Sequence, residues 1–433
     1  MTLHTHILYT DIRKITNGAM SMKENMEISY DYHGDIDFKE PFSSIKNEDI
    51  HFYLDVDTFV GKDTCGQNCN HCWFVNYQKV FAKSFGIHAG HDIYRKLSQQ
   101  GFNIYPRYVD SFAHNGEFMD IYGPAHNREF RSGENKEETE TMIKGDAWTS
   151  GKPLLQKNYT DLLDKAVRNG YGTVSITFHG IVDDVDKCLL YSHTDYPIKG
   201  VFPGEKCISV ISRIQNYSNE NVFNTEIRVN IGITIGTHNH SRENLIKYCQ
   251  LFNKLGVETV RFNCFTDHGR RHPHLQLSQK QVRDFYENVR WIHDNLTLHF
   301  QLGVSEDFGT SGIDVLDLPA HVGWCRAGRQ LFAIIPCEAT ITYIEGEEHE
   351  RIGQIVGCVN IFEPGFGSLT RIKKTNSDEY DYRVHFDVEA IESFTQDRLS
   401  GVYKNGCFAG EILQMENYDI PLVDKHRIDV IEV

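Results

Sequence analysis

The chain has no apolar run approaching the roughly 20 residues that cross a bilayer, so no membrane span is expected. Met1–Met20 contains neither an apolar core segment nor a small-residue cleavage site; no secretion signal is read, and a cytoplasmic location is expected. Positive charge is in deficit, with 44 Lys and Arg against 60 Asp and Glu, a net charge of −16. A surface of that sign repels phosphate backbones, which disfavours nucleic acid as a partner. Cysteine is sparse and odd in number, 11 in 433 residues, below the density of a disulfide scaffold. Cysteines that cluster in such a chain read as metal ligands or catalytic groups.

What is present is globular composition, 40% hydrophobic and 24% charged, in a length fit for two or three domains or one large barrel with an extension. Residues 1–48 are polar and irregular and read as an N-terminal extension. From Ile50 to Val56 the pattern alternates and predicts a strand, followed by a loop with three cysteines and a helix within residues 75–100. Further strands are predicted at Ile104–Phe112, Thr173–Phe178, Thr225–Ile235, Thr259–Phe265 and Leu298–Val304. Helices are predicted at Tyr159–Asn169, Glu205–Ile214, Arg242–Leu255 and Ser278–Asp294, the last with Ser278 as N-cap. About six strand–helix units between residues 50 and 310 fit a partial barrel or an open doubly wound sheet. Residues 120–152, with the run Gly133-Glu134-Asn135-Lys136-Glu137-Glu138, read as a loop or lid. Two short β-like runs, Gln330–Ile335 and Ala339–Ile344, predict a hairpin-based second domain over residues 313–433.

Cys65-Gly66-Gln67-Asn68-Cys69-Asn70-His71-Cys72 is the most informative stretch. A structural zinc site takes four ligands, usually as two pairs, and a closed iron–sulfur cluster takes four cysteines. Three thiolates on one tight loop suit a cluster with one open iron, placed past the end of a first strand where α/β folds gather active sites. The alternative of another class is a zinc-binding module without chemistry. The spacing resembles the hallmark of the radical S-adenosylmethionine superfamily, which opens a partial (β/α)6 TIM-like barrel. The resemblance covers residues 49–312.

That resemblance implies a 4Fe-4S cluster on Cys65, Cys69 and Cys72, with S-adenosylmethionine on the open iron. Reductive cleavage would yield a 5′-deoxyadenosyl radical that abstracts a substrate hydrogen. It further implies cofactor contacts from His71, from Asn115-Gly116-Glu117 after the second strand (where the family has Gly-Gly-Glu), from Ser175 in a third-strand motif, from Lys199 in place of an arginine, and from Asn230 on the fourth strand. Asp267-His268-Gly269-Arg270 matches a loop after the fifth strand. Cys325, Cys337, Cys358 and Cys407 resemble a SPASM- or twitch-like extension and suffice for a second 4Fe-4S cluster, although Cys337 sits earlier than the pattern's usual second cysteine. Cys188, Cys207, Cys249 and Cys264 read as core thiols, and His238, His240, His268, His272 and His274 as polar loop residues. The implied activity is an oxidoreductase-type dehydrogenation or crosslinking of a small-molecule natural product, with a flavodoxin- or ferredoxin-type reductant. A peptide maturase (on a RiPP precursor) and a radical epimerase are the alternatives.

Overall fold

The computed structural model describes residues 25–30, 40–57, 84–125, 145–178, 180, 203–220, 223, 225–266, 273–309, 311–318, 326–344, 347–358, 361–373 and 379–399. Strands are β1 (Ser29–Tyr30), β2 (His51–Asp57), β3 (Asn103–Tyr108), β4 (Gly145–Thr149), β5 (Tyr171–Phe178), β6 (Arg228–Ile235), β7 (Thr259–Cys264) and β8 (Gln301–Val304). A C-terminal group follows: β9 (Leu331–Ile344), β10 (Glu347–Cys358), β11 (Ile361–Lys373) and β12 (Tyr380–Phe386). Helices α1 (Ile87–Gln99), α2 (Glu117–Tyr122), α3 (Tyr159–Arg168), α4 (Pro203–Glu220), α5 (Arg242–Leu255) and α6 (Gln279–Asn295) each link consecutive strands from β2 to β8, and α7 (Val388–Leu399) closes the described chain. Six strand–helix units are therefore present, with β8 as closing strand. Among the described residues no helix is long and apolar enough to cross a membrane.

Why the sheet curls follows from which faces are apolar. On β5 and β6, Val174, Ile176, Phe178, Val229, Ile231 and Ile233 alternate into one core with Leu163, Ile211, Tyr248 and Phe285 of the helices. The opposite parity carries Thr173, Ser175, Thr177, Arg228, Asn230 and Thr234. A doubly wound sheet has helices and apolar side chains on both faces. Here one face takes the helices and the other is polar, so the parallel strands form a partial barrel with a polar lumen. The local signals are sound: Ser278 caps α6 with a full capping box to Gln281, and Gly256 ends α5 at φ 64°.

The strands fall into two sheets. One runs β1-β8-β7-β6-β5-β4, the other β12-β11-β10-β9-β2-β3. They abut between β3 and β4, where Ser111 N donates to the Trp148 carbonyl at 2.8 Å. Asp110 fastens the same seam, accepting from Phe112 N at 3.0 Å, Thr149 Oγ1 at 3.1 Å and Ser150 N at 2.8 Å. Helix α2 straddles it, with Met119 in the core behind β4–β8 and Phe118 and Tyr122 in the core behind β2 and β3.

Two expectations are corrected. The segment read as a loop over 120–152 contains β4 and the end of α2, while residues 126–144 lie outside the described residues. Strand β4, Gly-Asp-Ala-Trp-Thr, has little apolar text to announce it, because only its outer face needs to be apolar. The two short C-terminal runs are one strand, β9, interrupted by a bulge: Cys337, Glu338 and Ala339 stand opposite Ile352 alone, directly after Pro336. The expected C-terminal unit is present as the antiparallel ribbon β9–β12, and it is joined to the barrel. β9 pairs in parallel with β2 through Leu331–Ile334, so the ribbon is an extension of the barrel wall. At the far edge Ser29 and Tyr30 of the N-terminal extension pair with β8.

Candidate active site

The lumen is lined by the inward parity of each strand. Its middle holds Asp146 of β4, Ser175 of β5 and Asn230 of β6. Ser175 and Asn230 are register partners, and the Ser175 hydroxyl donates to Asp146 Oδ2 at 2.7 Å. Oδ1 of Asp146 and Oδ1 of Asn230 are both buried and without a hydrogen-bond partner among the described residues. Buried acceptors are normally satisfied, so these two are suited to donors brought by a ligand or by water.

Burial pushes the Asp146 carboxyl up to about 6, against the hydrogen bond from Ser175 and the positive charge of Arg228. The folded state therefore binds this proton more tightly than the unfolded chain does. The group's contribution to stability is greatest below pH 4 and declines as pH rises from about 4 to about 6. Asp146→Asn removes that dependence. The variant is expected to be more stable than the parent by about 2 kcal/mol above pH 6 and equal to it near pH 4, as read by urea unfolding across pH. A gap that is flat with pH would contradict a neutral-leaning Asp146.

Along β2 and β3 the lumen is aromatic and charged. Asp55 and Arg107 are register partners on β2 and β3 and form an ion pair, with side chains 0% and 7% exposed. Burial raises the Asp55 carboxyl to about 6, with Arg107 pulling it down. His51 stacks on Tyr105 with ring centroids 5.8 Å apart, Tyr53 lies against the same tyrosine at 6.1 Å, and the Arg326 guanidinium reaches within 3.5 Å of His51 Nε2.

At the other end, past the last residue of β3, the chain makes three consecutive left-handed residues: His114 at φ 48°, Asn115 at φ 56° and Gly116 at φ 74°. Glycine is favoured at 116 by its φ of 74°; a Cβ there would lie 2.6 Å from Met119 Cε and 2.9 Å from Lys165 Cδ, both on flexible side chains that can shift. This turn starts α2 and sets Glu117 on the rim, where Oε1 meets His88 Nε2 at 3.2 Å.

Of the residues expected from sequence, Asn115, Gly116 and Glu117 thus share the rim turn, and Ser175 and Asn230 share the lumen wall. Cys65, Cys69, Cys72, His71, Lys199, Cys325 and Cys407 lie outside the described residues. The inclusion of β4 shifts the strand count: Ser175 is on the fourth parallel strand, Asn230 on the fifth, and Asp267 follows the sixth. The third-strand position belongs to Trp148-Thr149-Ser150-Gly151, which sequence reasoning missed.

Of the four C-terminal cysteines, Cys325 and Cys407 lie outside the described residues, and the strand register separates the other two. Cys358 is two residues beyond the pair Val356–Ala333, hence level with Leu331 and with His51 of β2. Cys337 is six residues further along β9, which at strand rise is about 20 Å away. At that backbone separation Cys337 and Cys358 are unsuited to ligate one cluster together. Cys207 and Cys249 are buried in the core, with thiols pushed up to about 12 by burial. His240 Nδ1 sits 3.1 Å from the Thr237 carbonyl, and Thr237 donates to the His274 carbonyl at 2.7 Å, so both take part in loop contacts. Among the described residues no group of three or more His, Cys, Asp or Glu is placed to hold a metal.

The inward charges Asp55, Arg107 and Asp146 were also missed. For Asp55 and Arg107 the signal was a charge on the inward parity of a strand whose other parity is apolar, whereas β4 offers almost no such pattern around Asp146.

No protein-family model matches the chain, and no curated protein matches it in sequence. Solved structures match its backbone. The chain is similar to Streptococcus suis SuiB bound to precursor peptide SuiA, at 12% identity and TM-score 0.45, over 81% of this chain and 66% of that one. It is also similar to His6-tagged anSMEcpe with bound AdoMet (12%, TM-score 0.40, 72% and 74%). A third similarity is to the radical S-adenosylmethionine methyltransferase TsrM from Kitasatospora setae (12%, TM-score 0.31, 50% and 36%). The chain spans just under two thirds of the SuiB length, 65% against the S-adenosylmethionine-bound form. At these identities and scores the similarity carries no conclusion about activity.

Proposed function

We propose that this chain is a radical S-adenosylmethionine enzyme that removes a hydrogen atom from a substrate carbon held in the barrel and carries the product to net oxidation, by dehydrogenation or crosslinking. The observation that carries the reading is positional. The segment Cys65–Cys72 follows directly on β2, the first strand of a six-unit partial barrel whose inner face is polar. Reactive loops of such barrels gather at the C-terminal ends of the strands. Cys65, Cys69 and Cys72 would hold a 4Fe-4S cluster, and Glu117 on the same rim is an acceptor suited to an ammonium group. The unpartnered acceptors of Asp146 and Asn230 fit the hydroxyls and amines of S-adenosylmethionine or substrate. When bound, that cluster and S-adenosylmethionine supply the electron and the 5′-deoxyadenosyl radical that abstracts the hydrogen.

The chain's own residues do the rest. The outer apolar wall excludes water, the Asp55–Arg107 pair braces the lumen between β2 and β3, and Asp146, titrating near neutrality at about 6, can hold or accept a proton in the lumen. His71 and Lys199 are further candidates for cofactor contact. Cys358, level with the N-terminal end of β2, is with Cys325 and Cys407 a candidate ligand of a second cluster that would take the electron of a net oxidation. A small molecule or one residue of a peptide fits the reading, with a flavodoxin- or ferredoxin-type reductant.

The test is anaerobic reconstitution with iron and sulfide, then incubation with S-adenosylmethionine and dithionite. A brown protein that forms 5′-deoxyadenosine is expected. A colourless protein that holds zinc and forms none would overturn the proposal in favour of a binding module.

A further inference from the structure

Trp148 is the next inward residue of β4 after Asp146, because Ala147 and Thr149 take the buried parity. Its register partner is Ser175, whose partner in turn is Asn230, so an indole, a hydroxyl and an amide form one row across β4, β5 and β6. Asp146 joins the row diagonally, through the hydrogen bond that Ser175 donates to it. Trp148 is 40% exposed, and among the described residues its ring meets neither another ring nor a cation. Ser175 lies three residues, about 10 Å, short of the C-terminal end of β5. The row is therefore inside the lumen, below the rim. Gly232, the next inward residue of β6, sets no side chain between Asn230 and that rim.

The chemistry of the row is one-sided. Oδ1 of Asp146 and Oδ1 of Asn230 are buried acceptors without partners among the described residues, and the proton of Ser175 is committed to Asp146. Charge is one-sided as well. The cation that Asp146 feels is Arg228, which Glu258 shares at 3.5 Å. A hydroxyl ligand brings an acceptor with every donor and no charge. An ammonium or guanidinium group brings donors alone, carries the missing charge, and is attracted to an indole face.

We propose that Trp148, Asp146 and Asn230 form a cation subsite in the lumen that receives an amine or guanidine group of the substrate. The N–H groups donate to Asp146 Oδ1 and Asn230 Oδ1, and the positive charge lies against the indole. This rests on the proposed activity and deepens it by naming the substrate class as a cationic, nitrogen-bearing molecule. It also takes Ser175 and Asn230 away from the cofactor contacts that the resemblance implied. Binding is measured without reductant or S-adenosylmethionine, so its failure and that of the cleavage reading are told apart.

The probes are n-butylammonium and n-butylguanidinium, with n-butanol and glucose as neutral counterparts, titrated against the full chain and read by saturation-transfer difference NMR. Both cations should bind saturably, and the neutral probes at least about tenfold more weakly. Asp146→Asn and Trp148→Leu should each weaken the cations by about tenfold, and Trp148→Phe by less, because it keeps a π face. Asp146 must be ionised to receive a cation, and its carboxyl titrates at about 6, faced by Arg228 of β6 and Tyr108 of β3. Affinity should therefore fall by about tenfold from pH 7.5 to pH 5 in the parent and stay level in Asp146→Asn. The comparison of probes and the parent's pH profile need no variant. No saturable binding of the cations, equal or tighter binding of a neutral probe, a level pH profile in the parent, or no effect of Asp146→Asn or of Trp148→Leu would each overturn the proposal. So would displacement of the cations by S-adenosylmethionine, which would give the row to the cofactor.

Discussion

Cys65→Ala/Cys69→Ala/Cys72→Ala is expected to lower 5′-deoxyadenosine formation by at least about 1,000-fold, because on the proposed reading the cluster would lose all three of its protein ligands together. The same variant separates the two candidate metal sites. Iron retained at about four per chain would report a second cluster. In that background the register between β9 and β10 makes a sharper distinction. Cys358→Ala should empty the remaining iron, whereas Cys337→Ala should leave it in place, since Cys337 is about 20 Å along the ribbon from the level of Cys358. The reverse outcome, iron lost with Cys337 and kept without Cys358, would move the site to the lumen mouth. No retained iron in the triple variant would remove the second cluster altogether.

Arg107→Met is expected to destabilise the fold by about 3–5 kcal/mol, because it leaves Asp55 buried without its counter-ion. Asp55 is fully buried, so water cannot replace the guanidinium. The carboxyl, already raised to about 6 by burial, should then stay protonated at neutral pH. With the folded-state value above the unfolded one, the loss should be smallest in acid and grow as pH rises through 4 to 6 and beyond. Asp55→Leu/Arg107→Met should recover most of the lost stability, since an apolar pair avoids desolvating two charges. Urea unfolding of both singles and the double at pH 4.5 and 7.5 gives the cycle. A double variant as unstable as Arg107→Met alone would mean that Arg107 acts through other partners.

Much of the barrel could be read before it was seen, and the reasons lie in particular residues. Arg242–Leu255 shows helical spacing ended by Gly256, and both limits hold. Ser278 announced α6 because a hydroxyl three residues before Gln281 has a physical job at a helix start. Strand β4 escaped because a half-barrel strand buries only one side, and five residues with Ala147 at the centre leave almost no pattern. Pro336 broke the reading of β9 because a residue without an N–H suggests an ending, while the strand instead absorbs it beside a bulge. Glu117 was readable through the resemblance of Asn115-Gly116-Glu117 to Gly-Gly-Glu, and the left-handed turn that starts its helix became visible only in the structure. Asp146 was not, because its significance comes from Ser175, which is distant in sequence and adjacent only once β4 and β5 pair. No local pattern could tell that β9 would join β2, for that pairing is a property of chain closure.

That closure has a temporal consequence. The free flank of β2 is completed by β9, which the ribosome delivers only after the whole run from β3 to β8 has been made. During synthesis, β2 waits with one flank bare while the later βα units assemble their own core, and long-range pairings of this kind are slow to form. On the proposed reading, iron is expected to load only after these last strands have docked, since until then β2 lacks one of its two sheet neighbours.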